Sequence, residues 1–315
     1  RTPDAHEPRR EWRAPTGDPR PLLITGGTGT LGQALAHACE ARGIPYRLTR
    51  RQDMALDDGA AIARCLDAIH AWGVINAAGW VRVDDAEAER EACFAANAAG
   101  AVRLAEACSA RGLAYVTFSS DLVFDGRTNT PYVESAAPAP LCVYGASKAQ
   151  AEAGVLAASE QALVVRTAAF FSPYDSYNFA AHVARTLQAG HSLEAADDLV
   201  ISPTYVPDLV EATLDLMIDG ETGIRHLANE GAVSWAEFAR LIAEALSLDA
   251  QRVRPVHAAS FGWPAQRPPF AALGTERGQV LPPLEDALAR YAARFRDLGL
   301  LQPASADAVG AERGR

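Results

Sequence analysis

Short apolar runs alternate with longer stretches of helical spacing along the first half of the chain, and this alternation sets the expected architecture. Residues 21–25 (PLLIT) form an apolar run that ends in glycines, the pattern of a central parallel strand buried on both faces. Over 29–42 the positions Leu31, Leu35, Ala38 and Cys39 fall at helical spacing, and Gly43 stands where a helix C-cap is expected. A second strand is predicted over 45–49. Further strands are expected at 73–77 (GVINA), 113–119 (LAYVTFS) and 162–166 (ALVVR), separated by Ala-rich helical stretches. A βα alternation of this kind predicts an α/β fold, a Rossmann-like doubly wound parallel sheet with ligands held beyond the carboxyl ends of the strands.

After Thr167 the regularity loosens. Helices are expected near 177–188, 208–218 and 235–246, with a Pro-containing stretch over 201–207 between the first two. A smaller C-terminal substrate lobe follows from this. The Pro-rich tract 255–269 cannot continue a helix and is expected to cross the surface or the lobe interface before a last helix at 284–298. The expected organisation is a linker or leader over 1–20, an NAD(P)-binding Rossmann domain over 21–167 with part of 200–230, a substrate-binding lobe mainly over 168–300, and a tail over 301–315. The leader is polar, rich in Pro and Arg, and begins with Arg, which points to one domain of a longer polypeptide fused to another enzyme.

Composition narrows the function classes. A hydrophobic fraction of 49% and a charged fraction of 22% suit a globular protein, and a net charge of -10 argues against a nucleic-acid footprint. Five cysteines without a CxxC pair read as core residues in a reducing compartment. No apolar run approaches the roughly 20 residues that span a bilayer, so a cytoplasmic protein with no membrane partner is expected. The seven histidines show no metal-ligand spacing, so no protein-bound metal is expected.

Two motifs carry chemistry. TGGTGTLG at 25–32 places Gly26, Gly29 and Gly32 in a GxxGxxG spacing between a predicted strand and a predicted helix. The first glycine permits the tight turn, the middle one lets a pyrophosphate approach the backbone, and the last lets helix and strand pack closely. An NAD site usually carries a carboxylate after the second strand; here Arg50 and Arg51 follow it, and guanidinium groups there would pair with a 2′-phosphate. NADPH is therefore favoured, with NADH left open and two solvated arginines as the bland alternative. Asp57 would reach an adenine amino group, or equally cap a helix.

The second motif is YGASK at 144–148, which puts Tyr144 and Lys148 on one face of a helix at i and i+4. A nearby cation would stabilise the phenolate and lower the tyrosine pKa toward neutrality. At the end of the fourth predicted strand stand Ser119, Ser120 and Asp121, where a Ser120 hydroxyl would polarise a substrate carbonyl.

Taken in order, these elements resemble the extended short-chain dehydrogenase/reductase superfamily, and most closely the dTDP-4-dehydrorhamnose reductase family. The resemblance runs from Leu22 to about Arg294. Its further marks are VINAAG at 74–79, VDDAE at 83–87, Asn97, SSDLVFDG at 119–126, VYGASK at 143–148, SPTY at 202–205 and Arg267-Pro268. It implies a Ser120, Tyr144, Lys148 catalytic set. It also implies cofactor contacts from Thr28, Thr30, Leu31, Asn76, Ala77, Ala78, Gly79, Asn97 and Ser119, beside Tyr144 and Lys148. A sugar pocket is implied over 167–178, which includes Phe170 and Asn178, and around Trp80, Asp121, Val123, Phe124, Ser202 and Pro203; Arg267 would meet a diphosphate, although a rim salt bridge explains a lone arginine nearly as well. The implied reaction is reduction of a nucleotide-linked 4-keto-deoxysugar. Extended reductases often form homodimers, and some dTDP-4-dehydrorhamnose reductases use magnesium, for which Glu285 or Asp286 could serve a shared site, although nothing in the spacing requires it.

The chain departs from the family pattern at Trp80-Val81-Arg82 and Ala168-Ala169-Phe170, in the expected substrate wall. Sugar-nucleotide 4,6-dehydratases are similar but carry Asp-Glu after the strand-end hydroxyl; here Leu122 follows Asp121, which disfavours dehydration. The competing reading from another class is a non-catalytic NADP-binding regulatory or structural domain of a larger protein.

Overall fold

The computed structural model of the chain describes residues 20–301. The expected leader and tail lie outside the described residues, but for Arg20 and Leu301. The first half runs β1 (Leu22–Ile24), α1 (Thr30–Arg42), β2 (Tyr46–Leu48), α2 (Gly59–Ile69), β3 (Gly73–Asn76), α3 (Asp85–Ala88), α4 (Arg90–Phe94), a π-helical turn at Ala95–Ala99, and α5 (Gly100–Ser109). It continues through β4 (Ala114–Ser120), α6 (Val143–Ala158) and β5 (Ala162–Thr167). The remainder holds β6 (Phe170–Phe171), α7 (Phe179–Gln188), β7 (Leu193–Ala196), β8 (Val200–Ile201), β9 (Thr204–Tyr205), α8 (Val206–Ile218), β10 (Gly223–His226), β11 (Val233–Ser234), α9 (Trp235–Ala245), β12 (Val253–Val256) and α10 (Leu284–Asp297).

Six strands form one parallel sheet in the order β10-β5-β4-β3-β1-β2. Strand order reverses between β1 and β3, so a crevice opens beyond their carboxyl ends, where doubly wound sheets bind ligands. Period-two alternation sends side chains to both faces: Leu22 and Ile24 pack with α1 and α8, while Leu23 and Val74 pack with α2, α5 and α6. The rest of the chain gathers a second core around Phe171, Phe238, Tyr291 and Ile242, from α7, α9 and α10.

Two features differ from the pattern read above. β10 joins the main sheet although its sequence, GIRH, is half polar; its Arg225 and His226 are buried among partners instead of exposed. β7 and β12 pair in parallel, Leu193 opposite Val253, and such a long-range pair leaves no local signal. Among the described residues no helix is long and apolar enough to cross a membrane.

Candidate active site

The site is built where β4 ends and α6 begins. β4 delivers Ser119 and Ser120, and Ser120 lies opposite Thr167 of β5 in the sheet register. The chain then turns sharply through Asp121–Val123. The start of α6 is pinned from two sides: Cys142 Sγ accepts from the Gly145 N–H at 3.4 Å, and Glu87 Oε1 accepts from the Val143 N–H at 2.8 Å. Glycine at 145 is required by contact, because a Cβ there would overlap the Leu122 carbonyl. Tyr144, Ser119, Ser120, Asp121 and Thr167 thereby face one cavity of about 620 Å³ between the sheet and the second core. Phe170, Phe261, Trp263 and Arg267 also line it.

Electrostatics at this corner corrects one expectation. Burial raises the Tyr144 phenol pKa above its ordinary value, the Asp121 carboxylate adds to the rise, and the Ser120 hydroxyl only partly opposes it. The expected lowering by Lys148 does not outweigh these, because its Nζ turns to the Phe118 carbonyl at 3.1 Å and stays 5.8 Å from the phenol ring centroid. Lys148 itself is brought down to about 8 by burial. Burial likewise pushes the Asp121 carboxyl up to about 7, against the hydrogen bonds from Ser120 and Leu122. Ser120 Oγ donates to Asp121 Oδ1 at 2.9 Å, so its proton is engaged there and not yet turned to a ligand.

The glycine loop has the shape of a phosphate cradle. Gly26 adopts φ 73°, and a side chain there would overlap Ala77, so the turn after β1 lies hard against the loop after β3. Gly32 packs with equal closeness on the Gly26 carbonyl. Gly29 is the N-cap of α1 and offers no side-chain cap, which leaves N–H groups at that helix end free to meet an anion. Thr28 and Gly29 are exposed, while Leu31 is buried as an anchor. Thr30 Oγ1 donates to Asp175 Oδ2 at 2.8 Å. Near the reactive corner, the hydroxyls of Ser119 and Thr167 are buried without a partner, an arrangement that suits a ligand with polar groups. The residues present therefore fit a dinucleotide.

Asn97 sits in the π-helical turn, and its side chain holds the Trp80 backbone through Oδ1 at 2.7 Å and Nδ2 at 3.2 Å. Gly79 lies between it and Lys148: a Cβ there would come within 2.7 Å of Asn97 Oδ1 and 3.6 Å of Lys148 Nζ. Asn76 is turned inward, accepting from Thr25 Oγ1 at 2.7 Å, so it braces the loops that carry Ala77 and Ala78. After β2, Arg50 and Arg51 are both exposed, and Arg51 pairs with Asp57 at 3.0 Å. Asp57 is not the helix cap; its neighbour Asp58 caps α2 by accepting from the Ala60 and Ala61 N–H groups.

Several residues expected in the sugar pocket do not line the cavity. Val123 and Phe124 are buried in a separate cluster, with Phe124 stacked 4.0 Å from Tyr132. Ser202 Oγ is tied to the Gly231 carbonyl at 2.9 Å and the Leu273 N–H at 3.0 Å, and Pro203 is buried beside it. Asn178 caps α7, accepting from the Ala181 N–H at 2.9 Å. Trp80 packs on Ala86, Cys93 and Val143, and its neighbours Val81 and Val83 line the cavity in its place. Arg267 does line the cavity, while its guanidinium is paired with Asp84 at 2.7 Å. Asp286 is held by Arg290 at 2.8 Å, and among the described residues no three potential metal ligands come together.

Sequence reasoning missed the roles of Glu87 and Cys142, and missed Phe261 and Trp263 altogether, whereas Thr167 opens the stretch 167–178 expected to shape the sugar pocket. Glu87 and Cys142 act through backbone groups, which no spacing reveals. Two aromatics in a Pro-rich tract were the one available signal for Phe261 and Trp263.

Comparison with known proteins gives a consistent result. The family model described as the RmlD substrate binding domain matches residues 20–296. A dTDP-4-dehydrorhamnose reductase of Mycobacterium tuberculosis is 39% identical over 262 residues, covering 81% of this chain and 85% of that protein. A dTDP-4-keto-6-deoxy-D-glucose reductase of Streptomyces niveus is 31% identical over 253 residues, covering 80% and 88%. Among solved structures, a dTDP-4-dehydrorhamnose reductase of Bacillus anthracis in complex with NADP superposes with a TM-score of 0.83 at 28% identity, over 87% of this chain and 99% of that one.

Proposed function

Because the chain belongs to the RmlD substrate-binding domain family, that of the dTDP-4-dehydrorhamnose reductases, we propose that it is an NADPH-dependent reductase of a nucleotide-linked 4-keto-deoxysugar. The observation that carries the reading is the convergence of Tyr144, Ser120 and the partnerless Ser119 and Thr167 hydroxyls on one cavity, with Lys148 a helical turn behind. The NADP bound to the Bacillus anthracis relative and the exposed arginines after β2 support the choice of cofactor. Residues 21–167 with β10 would serve the cofactor, and 168–300 mainly the sugar.

When bound, the nicotinamide supplies the hydride. The protein's own part is to hold and protonate. A phenol whose pKa is raised keeps its proton at neutral pH, which suits Tyr144 to donate to the alkoxide that forms as the carbonyl is reduced. Ser120, once released from Asp121, donates a second hydrogen bond to the same oxygen and stabilises its developing charge. Lys148, whose Nζ now donates to the Phe118 carbonyl, would hold the cofactor ribose hydroxyls. Glycine at 26, 29 and 32 would admit the pyrophosphate to the α1 N-terminus, and Arg50 and Arg51 would meet the 2′-phosphate.

The test is NADPH oxidation with a dTDP-4-keto-6-deoxysugar. Tyr144→Phe removes the proton donor and lowers kcat by about 10²–10⁴-fold, while NADPH affinity holds. Equal turnover by the wild type and the variant contradicts the reading. Uptake of NADPH with no sugar nucleotide consumed identifies a binding module instead.

A further inference from the structure

Arg267 reaches the cavity from the Pro-rich tract, and what holds it there is as informative as the arginine itself. A guanidinium carries five N–H donors in one plane. Nη1 donates to Asp84 Oδ1 at 2.7 Å and to the Ala265 carbonyl at 2.8 Å, and Nη2 donates to Asp84 Oδ2 at 2.7 Å. Three donors are thus engaged. The two that remain, on Nε and Nη2, are neighbours, and together they form the other two-pronged edge of the group, which matches a pair of phosphate oxygens. The face of the group is fixed as well: it stacks 4.3 Å from the Trp263 ring, which is stacked in turn on Phe261 at 4.5 Å and 7°.

Asp84 is committed to this task. It occupies the N-cap position of α3, where an aspartate ordinarily accepts from its own helix, yet its side chain makes no such bond. Its carboxylate accepts instead from Arg267 and from the Ala265 N–H at 3.1 Å, binding the loop after β3 to the tract that carries Phe261, Trp263 and Arg267. The Arg267 guanidinium holds that carboxyl below the usual range.

We infer that Asp84 is a positioning residue for substrate recognition: it orients Arg267 so that the unused Nε/Nη2 edge meets the diphosphate of the nucleotide sugar. The inference rests on the substrate class proposed above. Asp84 touches no substrate; its contribution is to order beforehand a long side chain that would otherwise lose its freedom on binding.

The experiment is calorimetric titration of the NADPH-loaded protein with dTDP, for the wild type and Asp84→Asn, beside steady-state kinetics with the sugar nucleotide. Wild type binds dTDP. In Asp84→Asn the affinity falls about tenfold, the size expected when one rotamer-rich side chain must be ordered at binding, and KM rises alike while kcat holds within about twofold. Wild-type binding with an unchanged variant overturns the inference alone. Failure of the wild type to bind dTDP overturns it together with the substrate reading. A variant whose NADPH affinity and thermal transition fall along with dTDP affinity shows a general brace, which also overturns it.

Discussion

The Tyr144 phenol is held above its ordinary pKa for the same reason that Asp121 is hard to ionise: both are taken out of water at one corner with little cationic compensation. For Asp121 this has a consequence for stability. Its carboxyl moves from 3.8 unfolded to about 7 folded, so between those values the folded state binds more protons than the unfolded one. Stability from this group is therefore full below about pH 4 and is lost as pH rises toward 7. Asp121→Asn removes the loss: thermal melts of the cofactor-free variant should match wild type near pH 4 and exceed it near pH 8. The arginines after β2 carry a second prediction at this scale. Replacing both Arg50 and Arg51 by Ala weakens NADPH binding by about 1.5–3 kcal/mol, the range for hydrogen bonds to charged groups, and leaves NADH affinity unchanged in fluorescence titration. The identities of Tyr144, Lys148 and the glycines were legible in the sequence because each sits in a local motif. The partners that decide their charge were not, since Asp121 acts on Tyr144 across 23 positions of chain and burial has no local signature.

Among the elements, α6 matters most, because its first turn carries the phenol and its second the ammonium. The YGASK spacing predicts the helix but not its fixed position, which depends on Glu87, 56 residues earlier, and on the close approach of Gly145 to Leu122. Gly145→Ala tests that approach. In a free helix the change would favour folding by up to about 1 kcal/mol. Here overlap with the Leu122 carbonyl outweighs it, and overpacking of about 1–3 kcal/mol is expected, with a lower thermal midpoint and reduced kcat. The boundaries of α1, α8 and α9 followed the hydrophobic spacing to within two residues. β10 did not, because Arg225 and His226 find partners elsewhere inside the fold, among them the Arg277 and Gly274 carbonyls, and so imitate a surface loop in sequence.

Across the whole molecule, α6 is fastened to the sheet by a buried charge network. Arg166 of β5 makes two bonds to Glu152 of α6, at 2.7 and 2.8 Å, and donates to His226 Nε2 at 3.3 Å at the end of β10. Burial lowers the His226 pKa, which keeps the ring neutral with Nε2 free to accept from Arg166 and Nδ1–H donating to the Gly274 carbonyl at 2.9 Å. Glu152→Ala strands the Arg166 guanidinium, only 1% exposed, and is expected to cost about 3–5 kcal/mol in urea unfolding, as for other broken buried pairs. The central claim concerns the cavity that Tyr144, in the first turn of α6, lines. It is tested most directly by a crystal structure with NADP⁺ and a dTDP-6-deoxysugar product. The account predicts the sugar 4-hydroxyl about 3 Å from both Tyr144 Oη and Ser120 Oγ, with the nicotinamide stacked over that carbon. A sugar bound with its 4-hydroxyl beyond hydrogen-bond reach of Tyr144, or a dinucleotide seated away from the loop at 26–32, would contradict it.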